Sequence, residues 1–183
     1  LNSLLGILLR FRLNLYAYMG DLSKIYHSID MPLEGQMMHL FVRRFCNLTK
    51  RPDYFAMTVL NMGDMPSSAI AQICVKIAAE EASDEYPKSS AIITDNSYMD
   101  DVLDSAQTSA EREMRTNEIS MILQKKGFHI KEWICNDDTC EDSLSVEICQ
   151  QNELPIRMEN ALGMRWDVRR DYLKFKVTSP DND

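Results

Sequence analysis

The chain has 183 residues, 45% of them apolar and 26% charged, and a net charge of −8. That composition belongs to a folded domain with a proper core and excludes a disordered segment. No apolar run is long enough to cross a membrane, and the acid surplus weighs against phosphate contact, which draws on Lys and Arg.

The opening LNSLLGILLRFRLN lacks the basic leader of a secretory signal. A start on Leu suggests a piece of something longer. The five cysteines (Cys46, Cys74, Cys135, Cys140 and Cys149) include no CxxC pair. They suit a reduced, intracellular setting better than a disulfide framework. Cys135, Cys140 and Cys149 with His129 match no common zinc spacing, so small core or surface thiols are the simpler reading.

In chain order, Leu4, Leu5, Leu8 and Phe11 recur at helical spacing behind a possible Ser3 cap. LYAYMGD (15–21) is apolar on both faces, as a buried strand would be, and ends on Asp21. Leu33, Met37, Leu40 and Phe41 mark a second helix with Pro32 in its first turn. YFAMTVL (54–60) reads as a strand. Gly63 breaks it, and Pro66 opens a helix with Ile70, Ile73 and Ile77 on one side.

Residues 89–105 read as strand, tight turn, strand. Thr108 and Glu111 form a capping box for a helix running to Gly127, with Lys125 and Lys126 in its last turn. FHIKEWI (128–134) is another strand, 135–143 a solvated acidic loop, and ALGMRWDVRRDYLKFKV a hairpin with Leu173, Phe175 and Val177 alternating. The tract 178–183 is expected to fray. Helices and strands interleave without strict βαβ alternation, which predicts a mixed α+β fold.

The chemistry concentrates in ITDNSYMDDVLDS (92–104), where Asp100 and Asp101 stand side by side. Adjacent like charges favour protonation of one. Such a pair belongs either to a solvated turn or to half of a metal site. Asp21, closing a buried strand, is the candidate for the other half, if the hairpin at 98–101 is that strand's antiparallel neighbour. Three carboxylates from two strands would hold two Mg²⁺ ions about 3.5–4 Å apart, able to align an attacking hydroxyl and a leaving phosphate oxygen. Mg²⁺ takes oxygen ligands and needs few protein carboxylates beside the substrate phosphates. The metals invert the local sign, which reconciles acid with a phosphate substrate.

SYMDD together with YMGDLSKIYHSI resembles a reverse transcriptase, in wording close to the BEL/Pao family of long-terminal-repeat retrotransposons. LNSLLGILLRFR resembles the helix before the first catalytic strand, and MTVLNMGDMPSSAIAQ the template- and nucleotide-contacting motif. KKGFHIKEWICN resembles the helix-to-strand segment after the catalytic hairpin, and LGMRWD the region near the primer grip. The blocks follow the family's order over nearly the whole chain.

The resemblance implies a palm with a mainly antiparallel sheet packed on helices, fingers and thumb largely missing. It would divide into a pre-palm helix (1–14), the palm (15–134) and a post-palm segment with a primer-grip-like hairpin (135–183). It implies RNA-directed DNA polymerase activity with Asp21, Asp100 and Asp101 as the catalytic, metal-binding carboxylates, for two Mg²⁺ or alternatively Mn²⁺. Tyr26 matches the bulky position that excludes the ribose 2′-hydroxyl; by composition alone it is a core aromatic. Leu22, Lys24 and Ile25 would offer backbone to the triphosphate, Gly63 would let backbone approach the nucleotide, and Met99 would sit by the incoming base.

Tyr98 and Gly163 would lie beside primer and template. Lys131 is a possible general acid for the leaving pyrophosphate, while Lys125 and Lys126 read more simply as helix-end charges. Ser68 stands where relatives often carry proline or alanine. Partners would be the RNA or DNA template, a DNA primer, deoxynucleoside triphosphates and the rest of a Pol polyprotein, with no membrane, in an intracellular retroelement particle. Two rivals stay open: a decayed or domesticated copy that keeps only the fold or a binding role, and a structural acidic domain that binds divalent ions.

Overall fold

The computed structural model describes residues 2–137 and 158–175. Its elements are α1 (Leu4–Phe11), β1 (Tyr16–Ser23), a 3₁₀ turn (Ile25–Ser28), α2 (Leu33–Met38), β2 (Leu40–Arg43), β3 (Asp53–Ala56), α3 (Ser67–Glu81), α4 (Pro87–Asn96), β4 (Ser97–Tyr98), β5 (Asp101–Ala106), α5 (Ser109–Gln124), β6 (His129–Cys135), β7 (Met158–Ala161), β8 (Met164–Asp167) and β9 (Tyr172–Phe175). This is an α+β architecture, and every pairing within its sheets is antiparallel.

The central sheet runs β4-β5-β1-β6. Side chains alternate across it, and each face has its own cover. Tyr18, Leu22, Val102 and Ala106 pack under Ala71, Val75 and Ala79 of α3, Ile92 and Ile93 of α4, and Ile119, Ile122 and Leu123 of α5. Ala17, Met19 and Leu103 face the other way, against Ile7 and Phe11 of α1 and Trp166 of the β7–β9 meander. That second cover reaches only one end of the sheet, because the strands continue past Met19 and Leu103 to Asp21 and Asp101.

Several expectations meet the structure and others are corrected. Ser3 accepts from the Gly6 amide and Thr108 from the Glu111 amide, so both caps form. In α1 the buried stripe is Ile7 and Phe11, four residues apart; Leu5 is 67% exposed. The helix begun at Leu33 stops at Met38, and Leu40 and Phe41 lie in β2, paired with β3 in a separate hairpin. The strand expected over 54–60 is only Asp53–Ala56, with Val59 in an isolated bridge to Asp30.

The largest departure is α4, where 89–96 was expected to be a strand. Pro87 at the first helical position favours a helix, and Ser89, Ser90, Ile92, Ile93 and Asn96 then line one buried face. The serines are small enough for α3 to approach closely, and Ser90 Oγ donates to the Ala79 carbonyl at 2.5 Å. The β-branched run Ile92-Ile93-Thr94 has strand propensity, and helix packing overrides it. In α3 the buried face is built from alanine and valine, and Ile70, Ile73 and Ile77 point outward.

The C-terminal hairpin is a three-stranded meander, in which Leu173 packs inward while Phe175 is 81% exposed. Val177 and the tracts 138–143 and 178–183 lie outside the described residues. Cys46 and Cys74 are free as expected, but Cys135 is disulfide-bonded, against the expectation of reduced thiols.

A buried polar network ties the sheet to its helices. Tyr18 donates to Asp104 at 2.9 Å, Asn96 donates to its other oxygen at 2.9 Å, and Arg115 reaches it at 3.1 Å. Arg10 of α1 extends the network by donating to Asn96. Burial pushes the Asp104 carboxyl upward, and the bonds from Tyr18, the Ser105 amide and Arg115 offset part of that. Arg115 keeps Glu111 as a partner, but loss of the carboxylate leaves the buried Tyr18 hydroxyl and Asn96 amide without their acceptor, at a cost of about 1–3 kcal/mol each. Asp104→Ala is therefore expected to destabilise the fold on that scale, read as a fall in the denaturant midpoint at unchanged slope.

Candidate active site

Asp21 and Asp101 are direct cross-strand partners on β1 and β5. Their side chains share the face that carries Met19 and Leu103, at the end beyond its cover. Asp100 lies in the two-residue turn between Tyr98 and Asp101, which are themselves paired. Met99 takes the left-handed conformation there (φ 56°) while Asp100 does not, the φ pattern of a type II′ hairpin turn. The Asp100 carbonyl accepts from the Leu22 amide at 2.7 Å, fastening the turn back onto β1.

One carboxylate oxygen from each of Asp21, Asp100 and Asp101 lies within 4.8 Å of the other two. Among the described residues this is the only converging group of three or more acidic, histidine or cysteine donors. Crowding has an electrostatic cost. Burial first, then Asp100 and Asp21, push the Asp101 carboxyl up to about 7. Asp21 is raised by burial and by Asp100, and Lys131 on β6 pulls it partly back. Three hard oxygen donors with this much mutual repulsion fit a divalent cation such as Mg²⁺, which would offset most of their charge.

The local sequence explains the placement. β1 and β6 shift register between Gly20 and Leu22, so Asp21 sits at an irregularity of the strand. Gly20 faces Trp133 across that pair, and a Cβ there would fall 2.7 Å from the indole ring. The Trp133 indole in turn donates to Ser120 of α5 at 3.0 Å. Glycine before the acid thus lets the sheet close over an indole that is anchored to a helix.

The other sequence-predicted residues distribute as follows. Leu22 and Ile25 are buried in the helix-side core, and the Leu22 amide is already engaged by Asp100. Lys24 is exposed and left-handed (φ 52°), opening the 3₁₀ turn. Tyr26, one residue on from Ile25, is partly buried against that core, and its hydroxyl lies 3.2 Å from Ser68 Oγ. Tyr98 packs on the face that carries the carboxylates, and Met99 is 36% exposed at the turn. Lys131 is exposed and acts electrostatically on Asp21.

Gly63 has φ +100°, which only glycine holds without strain, and open space beside it. Gly163 shares a two-residue turn with Leu162, both at positive φ, the type I′ pattern between β7 and β8. The meander holding Gly163 packs on the carboxylate face through Trp166.

Gln72 was not singled out from sequence. It is buried on α3, and its side-chain amide donates to the Met99 carbonyl at 2.5 Å, gripping the turn from the helix layer. Its signal was an amide on the apolar face shared by Val75 and Ala79. Comparison of the chain with protein-family models and with curated proteins gives no match.

The raised Asp101 carboxyl makes two linked effects measurable. Without a cation the folded chain keeps a proton that the unfolded chain releases near pH 3.9, so stability should fall as pH climbs from about 4 towards 7. Saturating Mg²⁺, which binds only the ionised cluster, should flatten that slope, and its affinity should rise up to about pH 7 and level off above. Thermal melting and calorimetric titration over that pH range, with Asp101→Asn as control, check both.

Proposed function

We propose that this chain is the catalytic palm of a reverse transcriptase, of the retrotransposon type its motifs resemble, extending a DNA primer on an RNA or DNA template. The observation that carries the reading is the convergence of Asp21 with Asp100 and Asp101 across one antiparallel pair. The motif blocks resemble the family one by one, but nothing in their order along the chain requires those carboxylates to meet in space.

Two Mg²⁺ ions held by the three carboxylates would supply Lewis-acid activation of the primer 3′-hydroxyl and neutralise charge on the phosphate. The chain's own residues do the rest. Asp21 and Asp101, set in neighbouring strands, fix the spacing of the ligands. Asp100, at the exposed turn, is open to an incoming substrate. By the resemblance, Tyr26, five residues beyond Asp21, would turn its ring towards the ribose 2′-hydroxyl. Lys131, already coupled to Asp21, is the cation near the departing pyrophosphate.

Acid at the centre is offset by base elsewhere. The β2–β3 hairpin and its loop (40–56) carry Arg43, Arg44, Lys50 and Arg51 against a single acid, Asp53. Phe41 and Tyr54 are exposed on the same hairpin. Cations interleaved with aromatic rings suit a nucleic-acid strand, which offers phosphates and stacking faces.

In the full-length protein with Mg²⁺, Asp100→Asn is expected to reduce primer extension to background. Undiminished extension would refute the catalytic assignment. Tyr26→Val is expected to admit ribonucleotides, lowering the deoxy-over-ribo ratio of kcat/KM by about 10- to 100-fold, the range a single steric contact supports. A ratio that does not move returns Tyr26 to an ordinary core aromatic.

A further inference from the structure

The 3.2 Å approach of the Tyr26 and Ser68 hydroxyls joins elements that are 42 positions apart in sequence. A tyrosine ring pivots on two torsions, so its tip sweeps the widest arc, and a bond at the tip is the most effective way to hold it. Ser68 is well placed to serve as anchor because its own surroundings are braced. Its neighbour Ser67 is buried, donating its hydroxyl to the Asn61 carbonyl at 2.6 Å and its amide to the Asp64 carbonyl at 3.1 Å. Asp64 is held in turn by His39 Nε2 at 2.6 Å.

Ser68 and Gln72 stand four residues apart and therefore share one side of α3. Gln72 grips the Met99 turn, and Ser68 grips the ring. A single rigid helix thus sets the separation between the aromatic probe and the carboxylate hairpin.

We infer that Ser68 is a positioning residue for sugar discrimination, its hydroxyl holding the Tyr26 ring where an added 2′-oxygen would collide. The inference rests on the polymerase reading and extends it to a residue that the resemblance leaves without a role. Proline or alanine, frequent at this position in the sequences it resembles, could not make the bond. A ring free to tilt yields to the extra oxygen, and a tethered ring does not.

The test is single-nucleotide insertion by the full-length protein with Mg²⁺, comparing kcat/KM for deoxycytidine and cytidine triphosphates. Ser68→Ala should lower discrimination about tenfold, the weight of one net hydrogen bond, with the change residing in the ribonucleotide. Ser68→Thr, which keeps the hydroxyl, should retain it. Tyr26→Phe removes the same bond from its other end and should match Ser68→Ala, with no further loss in the double variant. Because Tyr26→Phe keeps the ring, it carries the test alone if Ser68→Ala does not fold.

Wild-type discrimination in both single variants overturns the tether while leaving the polymerase reading intact. A wild-type protein that incorporates no deoxynucleotide overturns that reading, and the tether's role with it.

Discussion

The register between β1 and β5 is the constraint on which the candidate site depends. Side chains along a strand alternate with period two, so sliding β1 by one residue would send Asp21 through the sheet to the helix side. The device that forbids the slip lies three residues away. Tyr18 and Asp104 are partners in the same ladder, and the phenol donates to the carboxylate inside the helix-side core. Asn96 and Arg115 converge on that carboxylate as well. A slipped register would take the shared acceptor from the buried Tyr18 hydroxyl and Asn96 amide in a low-dielectric interior, where each lost partner is costly. A buried ionic network adds little to stability compared with apolar packing, but it does fix register. Here the fixed register is the one that sets Asp21 opposite Asp101.

The two faces of the sheet divide the work. One is closed by three helices, two of which (α3 and α4) approach closely through small side chains, and contains the polar lock. The other is covered by α1 and the meander at one end only. Carboxylates at the open end keep access to water and to ions, which is why the fold tolerates three of them in mutual contact. Deeper burial would hold all three protonated, and full exposure would let them splay apart. Partial burial, with Asp101 pushed up to about 7, leaves the group ready to give up its proton to solvent in exchange for a bound cation at neutral pH.

The sequence made the edges of this arrangement legible and hid its interior. The apolar run 15–21 and the turn at 98–101 were readable because strand periodicity and paired acids are local signals. The Thr108 cap was readable for the same reason. What failed depended on tertiary packing. The segment 89–96 has β-branched residues that favour a strand, and the packing of its small face, with Ser90 bonded to α3 and Ser89 to Glu118 of α5, outweighs them behind the helix start at Pro87. The isoleucines of α3 outrank its alanines on any hydropathy scale, yet the alanines are the buried ones, packed with Val75 and Gln72 on the face turned to the sheet and its helices. Gln72 and Ser68 act through partners 27 and 42 positions away, and no local pattern announces contacts at that range.

Net charge misleads for a related reason. The sum of −8 treats every ionic group as equivalent, whereas at physiological salt a charge is felt over about 8 Å. A strand of nucleic acid would therefore meet the local field of the elements it touches. Three of the acids belong to a cluster most of whose charge a divalent cation would cancel, and others are spent in ion pairs with Arg115, Lys125 and Lys126. Four cations, by contrast, are gathered between positions 43 and 51, and of these Lys50 is bridged to Asp53. The Arg43 guanidinium carbon lies over the Phe45 ring, 4.4 Å from its centroid, a cation–π contact that keeps its charge. The distribution is thus more favourable to a polyanion than the total, and the total alone is no ground for excluding one.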